Sequence, residues 1–398
     1  MAKKIYKIAS LFSGCGGLDL GFTGGFSFNG MKYKKLATKV VFANDFDQDA
    51  ATCYNSNSLL VEEGDVCRLD DIRNIDADQI PDYDILLAGF PCQPFSNAGN
   101  RKGVHDDNGR GTLFEECERI LKNKVDKGKR PVAFVFENVR GIMSSKMPSG
   151  ITVPEEIKNR MNNLGYNVAM QLVCSSDYGV PQKRFRFLII GIAKDAGAFD
   201  FATLDDIVRK HKIPSTKFET DEKLLIGSIL YDVAKTGENE TWEYTQGTQN
   251  MVDKIGPCEH GAEAINLFAP GFKKKDLPPQ VFVGRSWKNV PPELLTPRFK
   301  KIYDNPKKYH APNFFRRFAF GEINGTITAS AQPENCGITH PIENRRYTVR
   351  EIARIQSFPD EFSFASIPLQ SRYKVIGNAV PPVMAWVIAS ALISHLNK

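Results

Sequence analysis

The chain has none of the cysteine patterns that mark a metal centre or a disulfide framework. Its eight cysteines lie far apart, with no C-x-x-C pair and no Cys/His spacing suited to zinc. The N-terminal Met-Ala-Lys-Lys precedes a strand-like run rather than a signal sequence, and no apolar run looks long enough to cross a membrane. We therefore expect a reduced, soluble, cytoplasmic protein that holds no metal ion.

The common phosphate-binding signatures are absent as well. A strand-like run from Ile5 to Phe12 ends in a turn whose glycines, at positions 14, 16, 17 and 21, do not match G-x-G-x-x-G. The turn also lacks the Lys-Ser/Thr pair of a P-loop. Glycines between a strand and a helix still let a ligand approach the backbone closely. The turn therefore predicts a nucleotide-type cofactor site without indicating bound phosphate.

Acidic and aromatic residues follow the next predicted strands. Asp45 lies near the tip of a strand from Val40 to Asp47, where a carboxylate can hydrogen-bond a ribose diol, and Phe46 can lie against an adenine. Asp65, which we place at the end of a further short strand, can accept a hydrogen bond from an adenine amino group. Asp45 could instead cap the following helix, and both roles remain open.

One cysteine differs from the other seven in its position. Cys92 lies between two prolines, directly after the apolar run from Asp84 to Phe90. Each proline fixes φ and removes a donor, so the thiol is held at a strand end rather than inside an element. Strand ends are where open α/β sheets carry out chemistry, and a thiol is a strong nucleophile. A lone cysteine is more often a structural residue, so this interpretation depends on the motifs that follow.

A carboxylate and two arginines are the partners that such a thiol would need. The apolar strand from Val132 to Phe136 ends in Glu137, where an acid is either satisfied by backbone donors or poised for proton transfer. Arg184 and Arg186 alternate onto one face of a later predicted strand. Two such guanidiniums more often pair with nearby acids, but with Glu137 they could also clamp a polar substrate.

Two regions depart from the regular α/β rhythm. The glycine-rich segment from Phe95 to Gly111 contains Arg101 and predicts a mobile basic loop that closes over a substrate, with a plain surface loop as the alternative. Between Lys194 and His340, clusters of basic and aromatic residues suit contacts to phosphates and bases. The formal net charge of +6 permits a polyanionic partner without requiring one.

Six motifs, spread from residue 12 to residue 381, resemble those of the DNA (cytosine-5) methyltransferase family in family order. They are Phe12-Ser13-Gly14-Cys15-Gly16-Gly17, Gly89-Phe90-Pro91-Cys92-Gln93-Pro94-Phe95-Ser96, Glu137-Asn138-Val139, Gln182-Lys183-Arg184-Phe185-Arg186, Arg345-Arg346-Tyr347-Thr348-Val349-Arg350-Glu351 and Gly377-Asn378-Ala379-Val380-Pro381. The resemblance implies an α/β, Rossmann-like, S-adenosylmethionine-dependent catalytic domain over residues 1–193. It also implies a smaller, irregular, mainly β target-recognition domain over 194–345, and a segment over 346–398 that returns to the catalytic domain.

The resemblance further implies methyl transfer from S-adenosylmethionine to C5 of a cytosine flipped out of duplex DNA. Cys92 as thiolate would add to C6, while Glu137 would protonate or hydrogen-bond N3. Arg184 and Arg186 would orient the base and favour the thiolate. These four residues are the predicted catalytic set.

Binding residues are carried over in the same way. The implied cofactor contacts are Phe12, Gly14, Cys15, Gly16, Gly17, Asp45, Phe46, Asp65, Val66, Phe90, Asn378 and Val380. Ser96 and Thr328 match phosphate contacts, and arginines of the basic segments are added as further DNA contacts, giving Ser96, Arg101, Arg285, Arg316, Arg317 and Thr328. Asp45 stands where the family often has glutamate, so its reach to a ribose is shorter. The family offers no account of the Gly24 to Lys39 insertion.

We expect a sequence-specific modification enzyme of a restriction-modification system, acting as a monomer on double-stranded DNA beside a separate endonuclease. A tRNA cytosine-5 methyltransferase is one alternative, since related enzymes use the same motifs on RNA, and a non-catalytic DNA-binding relative is another. The long variable region favours base-specific duplex reading, and the intact catalytic set favours catalysis. The glycine spacing argues against a nicotinamide dehydrogenase.

Overall fold

The computed structural model describes residues 4–90, 113–305 and 313–398. The chain divides into two compact units, which we call unit 1 and unit 2. Unit 1 comprises Met1–Tyr178, Phe185–Ile213 and Ala379–Lys398, and unit 2 comprises Gly179–Arg184 and Pro214–Asn378. These bounds differ from the expected ones, because unit 2 begins its long segment at Pro214 rather than residue 194 and continues to Asn378 rather than residue 345.

A seven-stranded sheet forms the centre of unit 1. In spatial order its strands are β5 (Cys67–Leu69), β4 (Thr38–Asp45), β1 (Tyr6–Leu11), β6 (Ile85–Ala88), β7 (Ala133–Val139), β10 (Phe185–Ala193) and β8 (Tyr166–Cys174). The pairs from β5 to β7 are parallel, whereas β10 runs antiparallel to both β7 and β8. Strand β6 is buried along its whole length, as its continuous apolar sequence requires.

Helices pack on this sheet in separate clusters. They are α1 (Gly17–Thr23), α2 (Gln48–Asn55), α3 (Phe114–Asp126), α4 (Val153–Asn163), α5 (Ala202–His211) and α11 (Pro382–Leu396). Apolar residues of α3 and α4 share one core with β-strand residues such as Phe134 and Phe136. Both α1 and α5 pack against α11, which is buried from Pro382 to Ile393. The apolar sequence of α11 requires such burial.

The expectation that no apolar stretch is long enough for a membrane was wrong. By length and composition Leu369–Leu396 passes that test, but 94% of its most apolar window is buried inside the protein. Such burial is the environment of a core helix.

The insertion after α1 forms a β-hairpin of strands β2 (Phe26–Phe28) and β3 (Met31–Tyr33). Its phenylalanine and tyrosine side chains are buried, while Ser27 and Lys32, which face each other across the hairpin, are exposed. The alternation gives the hairpin one apolar and one polar face.

Unit 2 is irregular, as predicted, but the expectation of a mainly β domain was wrong. Its strands in the described chain are two-residue pairs: β9 (Gln182–Lys183), β11 (Arg285–Ser286), β12 (Arg316–Arg317) and β13 (Asn324–Gly325). Helices hold more residues: α6 (Ile226–Leu230), α7 (Gln246–Ile255), α8 (Pro297–Tyr303), α9 (Val349–Ile355) and α10 (Leu369–Asn378). Short apolar runs broken by proline and glycine cannot extend a ladder. A capping box formed by Thr348 and Glu351 opens α9.

Candidate active site

The carboxyl end of β1 leads into a tightly wound turn. Phe12 has φ 54°, Gly14 has φ 58° and Gly16 has φ 89°, so three residues in five adopt the left-handed region. Phe12 is the exceptional one, because a bulky side chain makes this conformation costly and such strain clusters at functional sites. Gly16 then caps α1.

The glycines of this turn differ in what surrounds them. A Cβ at Gly16 would lie 2.3 Å from the side chain of Leu60, and a Cβ at Gly21 would lie 2.3 Å from that of Ala385. A Cβ at Gly14 would have no described atom within 4 Å. Gly16 and Gly21 therefore serve internal packing, whereas Gly14 borders open space.

Asp45 at the end of β4 holds the turn in place. Its Oδ2 accepts a hydrogen bond from the Gly14 N–H at 2.8 Å, and its Oδ1 accepts one from the Asp47 N–H at 2.9 Å. Burial raises the pKa of Asp45, and these two backbone donors oppose the rise. The cap of α2 is Asp47, whose side chain accepts from Asp49 and Ala50. The capping alternative for Asp45 was therefore wrong.

The other predicted adenosine contacts lie around the same edge of the sheet. Phe46 follows Asp45 directly and is 67% exposed. Asp65 is exposed, and the Val66 carbonyl accepts a hydrogen bond from Ala43 of β4. Both precede β5, so the prediction that they end a strand was wrong. Cys15 is fully buried and its thiol lies against the Cys53 thiol, which leaves only its backbone to face a ligand.

An ion pair lies at the carboxyl end of β7. The Glu137 carboxylate pairs with the Arg186 guanidinium, and both residues are 8% exposed. Arg186 also donates to the Phe185 carbonyl at 2.8 Å. The structure thus brings together two of the four predicted catalytic residues.

This ion pair lies beside the segment that leads to Cys92. A Cβ placed on Gly89 would be 3.7 Å from Glu137 Oε2 and 3.9 Å from the Phe12 carbonyl oxygen. The neighbouring Asn138 donates its side-chain N–H to the Phe90 carbonyl at 3.3 Å. Glu137, the β1 turn and the end of β6 therefore meet at one place.

Arg184 occupies a different environment from Arg186. The two do not alternate along one strand as predicted, because Arg184 lies in the break between β9 and β10. Strand β9 pairs with β13 of unit 2, whereas β10 joins the sheet of unit 1. Arg184 is 2% exposed and donates to the carbonyls of Ile327 at 2.8 Å and Asn378 at 3.4 Å. Within unit 2 it ties the residues before Thr328 to the end of α10.

The last cofactor residues carried over by resemblance fall in separate units. Asn378 ends α10 in unit 2 with an exposed side chain, and Val380 is buried in unit 1. Among the residues of the described ranges, no group of three or more His, Cys, Asp or Glu side chains could hold a metal ion.

The residues predicted to contact DNA differ strongly in exposure. Arg317 is 1% exposed and its guanidinium donates to the carbonyls of His340 and Glu343 and to the Asn344 side chain. Such an arginine stabilises the interior of unit 2, and we leave it out of the DNA contacts proposed below.

Three other predicted DNA contacts are accessible. Arg316 pairs with Glu322 and lies over the Phe318 ring at 4.6 Å. The Arg285 side chain is 25% exposed and lies 3.7 Å from Glu259. Thr328 hydrogen-bonds the side chains of Ser330 and Asn335.

Cys92, Ser96 and Arg101 lie outside the described residues. Their predicted roles as nucleophile, phosphate contact and loop cation stay predictions.

Two residues that the sequence left without a role lie next to this site. Asn138 donates a hydrogen bond to the Phe90 carbonyl. Its position in the motif Glu137-Asn138-Val139 was the feature of the sequence that could have indicated a role. Asp19 of α1 is fully buried, and neither carboxylate oxygen has a hydrogen bond of ordinary geometry within the described part of the chain. Burial raises the pKa of Asp19 to about 6, and the nearby Ser10 and Tyr54 hydroxyls offset this only in part. No pattern in the sequence distinguishes Asp19 from a surface aspartate.

Solved structures share this architecture over nearly the whole chain. A DNA modification methyltransferase encoded within an Escherichia coli prophage superposes with a TM-score of 0.59 at 21% identity, covering 99% of this chain and 100% of that one. The Dnmt2 methyltransferase of S. pombe superposes with a TM-score of 0.55 at 16% identity, covering 97% and 98%. These likenesses show the α/β methyltransferase fold.

Sequence comparisons are more specific. The type II methyltransferase M.Eco47II of Escherichia coli is 32% identical to this chain, covering 100% of it and 81% of the relative. The type II methyltransferase M.NgoFVII of Neisseria gonorrhoeae is 31% identical, covering 97% and 86%. The family model for C-5 cytosine-specific DNA methylase matches residues 6–394. The chain therefore belongs to the C-5 cytosine-specific DNA methylase family, and it is a DNA (cytosine-5-)-methyltransferase.

Proposed function

We propose that the chain methylates C5 of one cytosine within a specific duplex DNA sequence, with S-adenosylmethionine as donor, and that Cys92 is the nucleophile. The observation that carries the proposal is the position of Glu137. Its carboxylate lies 3.7 Å from where a Gly89 Cβ would be. Cys92 follows Gly89 by three residues, which span at most about 11 Å, and this short separation in the chain supports a joint role with Glu137.

Each reacting group has a distinct task. The Cys92 thiolate adds to C6 of the flipped base, which makes C5 nucleophilic. Glu137 supplies the hydrogen bond or proton at N3 that makes C6 accept the thiolate. After methylation, C5 loses its proton, and the C6–S bond breaks to regenerate Cys92 and the aromatic ring.

Arg186 prepares Glu137 for this task. The ion pair fixes the carboxylate beside Gly89. When N3 of cytosine takes the place of solvent there, the Glu137 carboxyl group would have to carry a proton, which it donates to N3 as the thiolate adds to C6. Asn138 fixes the Phe90 carbonyl, and so positions the start of the segment that carries Cys92.

The turn after β1 and the end of β4 suit an adenosine and a methionine group. Gly14 borders open space, Phe46 exposes an aromatic face, and Asp45 keeps acceptor capacity beyond the two backbone donors it already satisfies. Asp45 would hold the ribose diol and Asp65 the adenine amino group. The bound cofactor supplies a methyl group activated by a sulfonium centre.

Unit 2 would read the DNA sequence. Arg285 and Arg316 are accessible cations for guanine or phosphate contacts, and Thr328 is an accessible hydroxyl for a phosphate. Arg184 would act by holding the backbone before Thr328 rather than by touching the base. Because the relatives are type II methyltransferases, we propose that this chain is the modification enzyme of a restriction-modification system.

The test is covalent trapping on duplex DNA in which 5-fluorocytosine replaces cytosine. With S-adenosylmethionine, the unaltered enzyme should give an adduct that survives denaturing electrophoresis. Cys92→Ala should give none, and Cys174→Ser, a change at a half-buried cysteine of β8, should leave the adduct unchanged. An adduct with Cys92→Ala would refute the assignment. Methyl transfer to tRNA but not to DNA would refute the substrate, and bisulfite sequencing of host DNA would identify the target.

A further inference from the structure

The hairpin of the Gly24 to Lys39 insertion and the end of α5 form one continuous surface. The Trp386 side chain joins them, since its indole N–H donates to the Lys34 carbonyl at 2.9 Å. The Tyr33 ring lies 5.4 Å from the same indole, and the His211 ring lies 5.1 Å from it on the α5 side. The buried apolar faces of hairpin and helix therefore meet on α11.

The outward side of this surface is strongly basic. Lys32, Lys34 and Lys35 are exposed on the hairpin, and Arg209, Lys210 and Lys212 follow one another at the end of α5. Burial lowers the pKa of His211, and the charges of Lys210 and Lys34 lower it further, so both lysines lie near this ring. We call these six cations the hairpin surface.

Four of the six cations of the hairpin surface form no ion pair within the described part of the chain, unlike many lysines elsewhere in unit 1. Near α3, for example, Lys122, Lys127 and Lys129 each pair with an aspartate. On the hairpin surface, Lys35 pairs with Glu62 at 3.5 Å and Arg209 with Asp206 at 3.7 Å. Within the described ranges, no acid forms an ion pair with Lys32, Lys34, Lys210 or Lys212. A cluster of unbalanced cations repels itself unless an anion covers it.

This surface lies at the opposite end of the sheet from the active site. The insertion enters β4 at Thr38, and Asp45 lies at the other end of that strand, seven residues or about 23 Å away. Duplex DNA is itself about 20 Å wide and carries one negative charge per 1.7 Å of its axis. A duplex whose cytosine occupies the active site would lie along the carboxyl end of the strands.

We propose that the hairpin surface binds the phosphate backbone of a second duplex DNA segment, independently of sequence and of the base being methylated. On long DNA, the enzyme would then hold one segment in the active site and a neighbouring segment at the hairpin surface. Contacts to phosphates alone carry no sequence information but retain a protein near its substrate.

The test compares two variants of equal charge. Lys32→Gln/Lys34→Gln/Lys210→Gln changes the hairpin surface, and Lys122→Gln/Lys127→Gln/Lys129→Gln changes paired lysines around α3. Each lowers the formal net charge from +6 to +3, because three lysines are neutralised. The probe is labelled poly(dA)·poly(dT), which contains no cytosine, and its binding is followed by fluorescence anisotropy at several salt concentrations.

We expect the hairpin-surface variant to bind this duplex at least about tenfold more weakly, with a log–log salt slope smaller by about 2 to 3. The α3 variant should stay within about twofold of the unaltered enzyme. Equal losses in both variants, or no loss in either, would overturn the proposal.

Methylation of a short cytosine-containing duplex separates this proposal from the proposed function. Its rate should be the same in both variants, because the active site is untouched. A selective loss in the hairpin-surface variant would place these lysines in the substrate site and would also overturn the proposal. If the unaltered enzyme methylates no DNA, the proposed function fails while the anisotropy comparison still decides this inference.

Discussion

At the scale of single residues, the Glu137–Arg186 pair combines a structural and a chemical task. Burying two charged groups that are each 8% exposed costs desolvation free energy. Their mutual attraction offsets this cost only while both groups are present. If Glu137 is the proposed catalytic acid, loss of Arg186 should therefore affect both folding and catalysis. A double mutant is needed to separate the effect on stability from the effect on catalysis, because a single substitution changes both.

We expect Glu137→Gln to lower the methyl-transfer rate by about 10²–10⁴-fold, since Gln cannot share a proton with N3. It should also lower the free energy of unfolding by about 2–4 kcal/mol, because Arg186 is left buried without an anion. Glu137→Gln/Arg186→Met should recover most of that stability and none of the activity. Urea unfolding and a tritiated methyl-transfer assay measure the two quantities. Restored activity in the double mutant would contradict the role of Glu137.

At the scale of elements, the turn from β1 into α1 serves two neighbours at once. Its first glycine borders open space, while Gly21, one helical turn into α1, lets that helix approach α11. The glycine pattern predicts a single ligand-binding turn, yet Gly16 and Gly21 are packed against the protein while Gly14 borders open space. The sequence could not make this distinction, because the partner of Gly21 lies 364 positions away, at Ala385.

A pair of alanine substitutions separates the two tasks. In Gly21→Ala the new Cβ overlaps Ala385 Cβ and the Pro382 carbonyl, so the free energy of unfolding should fall by about 1–3 kcal/mol. In Gly14→Ala the Cβ meets no described atom, and the cost should be only the roughly 1–2 kcal/mol of the left-handed backbone.

Titration calorimetry with S-adenosylmethionine compares the cofactor affinity of the two variants. Affinity should fall in Gly14→Ala, whose Cβ would enter the space that faces the cofactor, and persist in folded Gly21→Ala. The reverse pattern would show that Gly21, not Gly14, borders the cofactor.

At the scale of the whole molecule, sequence patterns predicted the sheet better than the boundaries of the units. Continuous apolar runs such as Ile85–Ala88 are buried on both faces in any arrangement, so they identify strands without knowledge of their neighbours. The break at Arg184 depends on which strand pairs with β9, and no local periodicity encodes that. The burial of Arg317 could not be predicted from the local sequence for a similar reason, since its hydrogen-bond acceptors lie between His340 and Asn344.

The path of the chain between the units leads to a final prediction. The chain passes from one unit to the other four times, and unit 1 receives its last helix, α11, only after unit 2 is complete. This helix buries seven large apolar side chains, each worth about 1.5–3 kcal/mol: Val383, Met384, Trp386, Val387, Ile388, Leu392 and Ile393. Even allowing for residual burial in the unfolded chain, their sum rivals the usual stability of about 5–15 kcal/mol for a whole domain.

A chain that ends at Pro381 should therefore lose cooperative unfolding of unit 1, because α1 and α5 would expose the apolar faces that pack on α11. Near-UV circular dichroism and urea titration would detect the loss, and size-exclusion chromatography would show aggregation. A chain that lacks only Lys398 is the control and should unfold as the full chain does, since this residue is exposed. Retention of a cooperative transition after removal of α11 would mean that the sheet with α3 and α4 forms a self-sufficient core. In that case the C-terminal helix would be an addition to the fold rather than part of its centre.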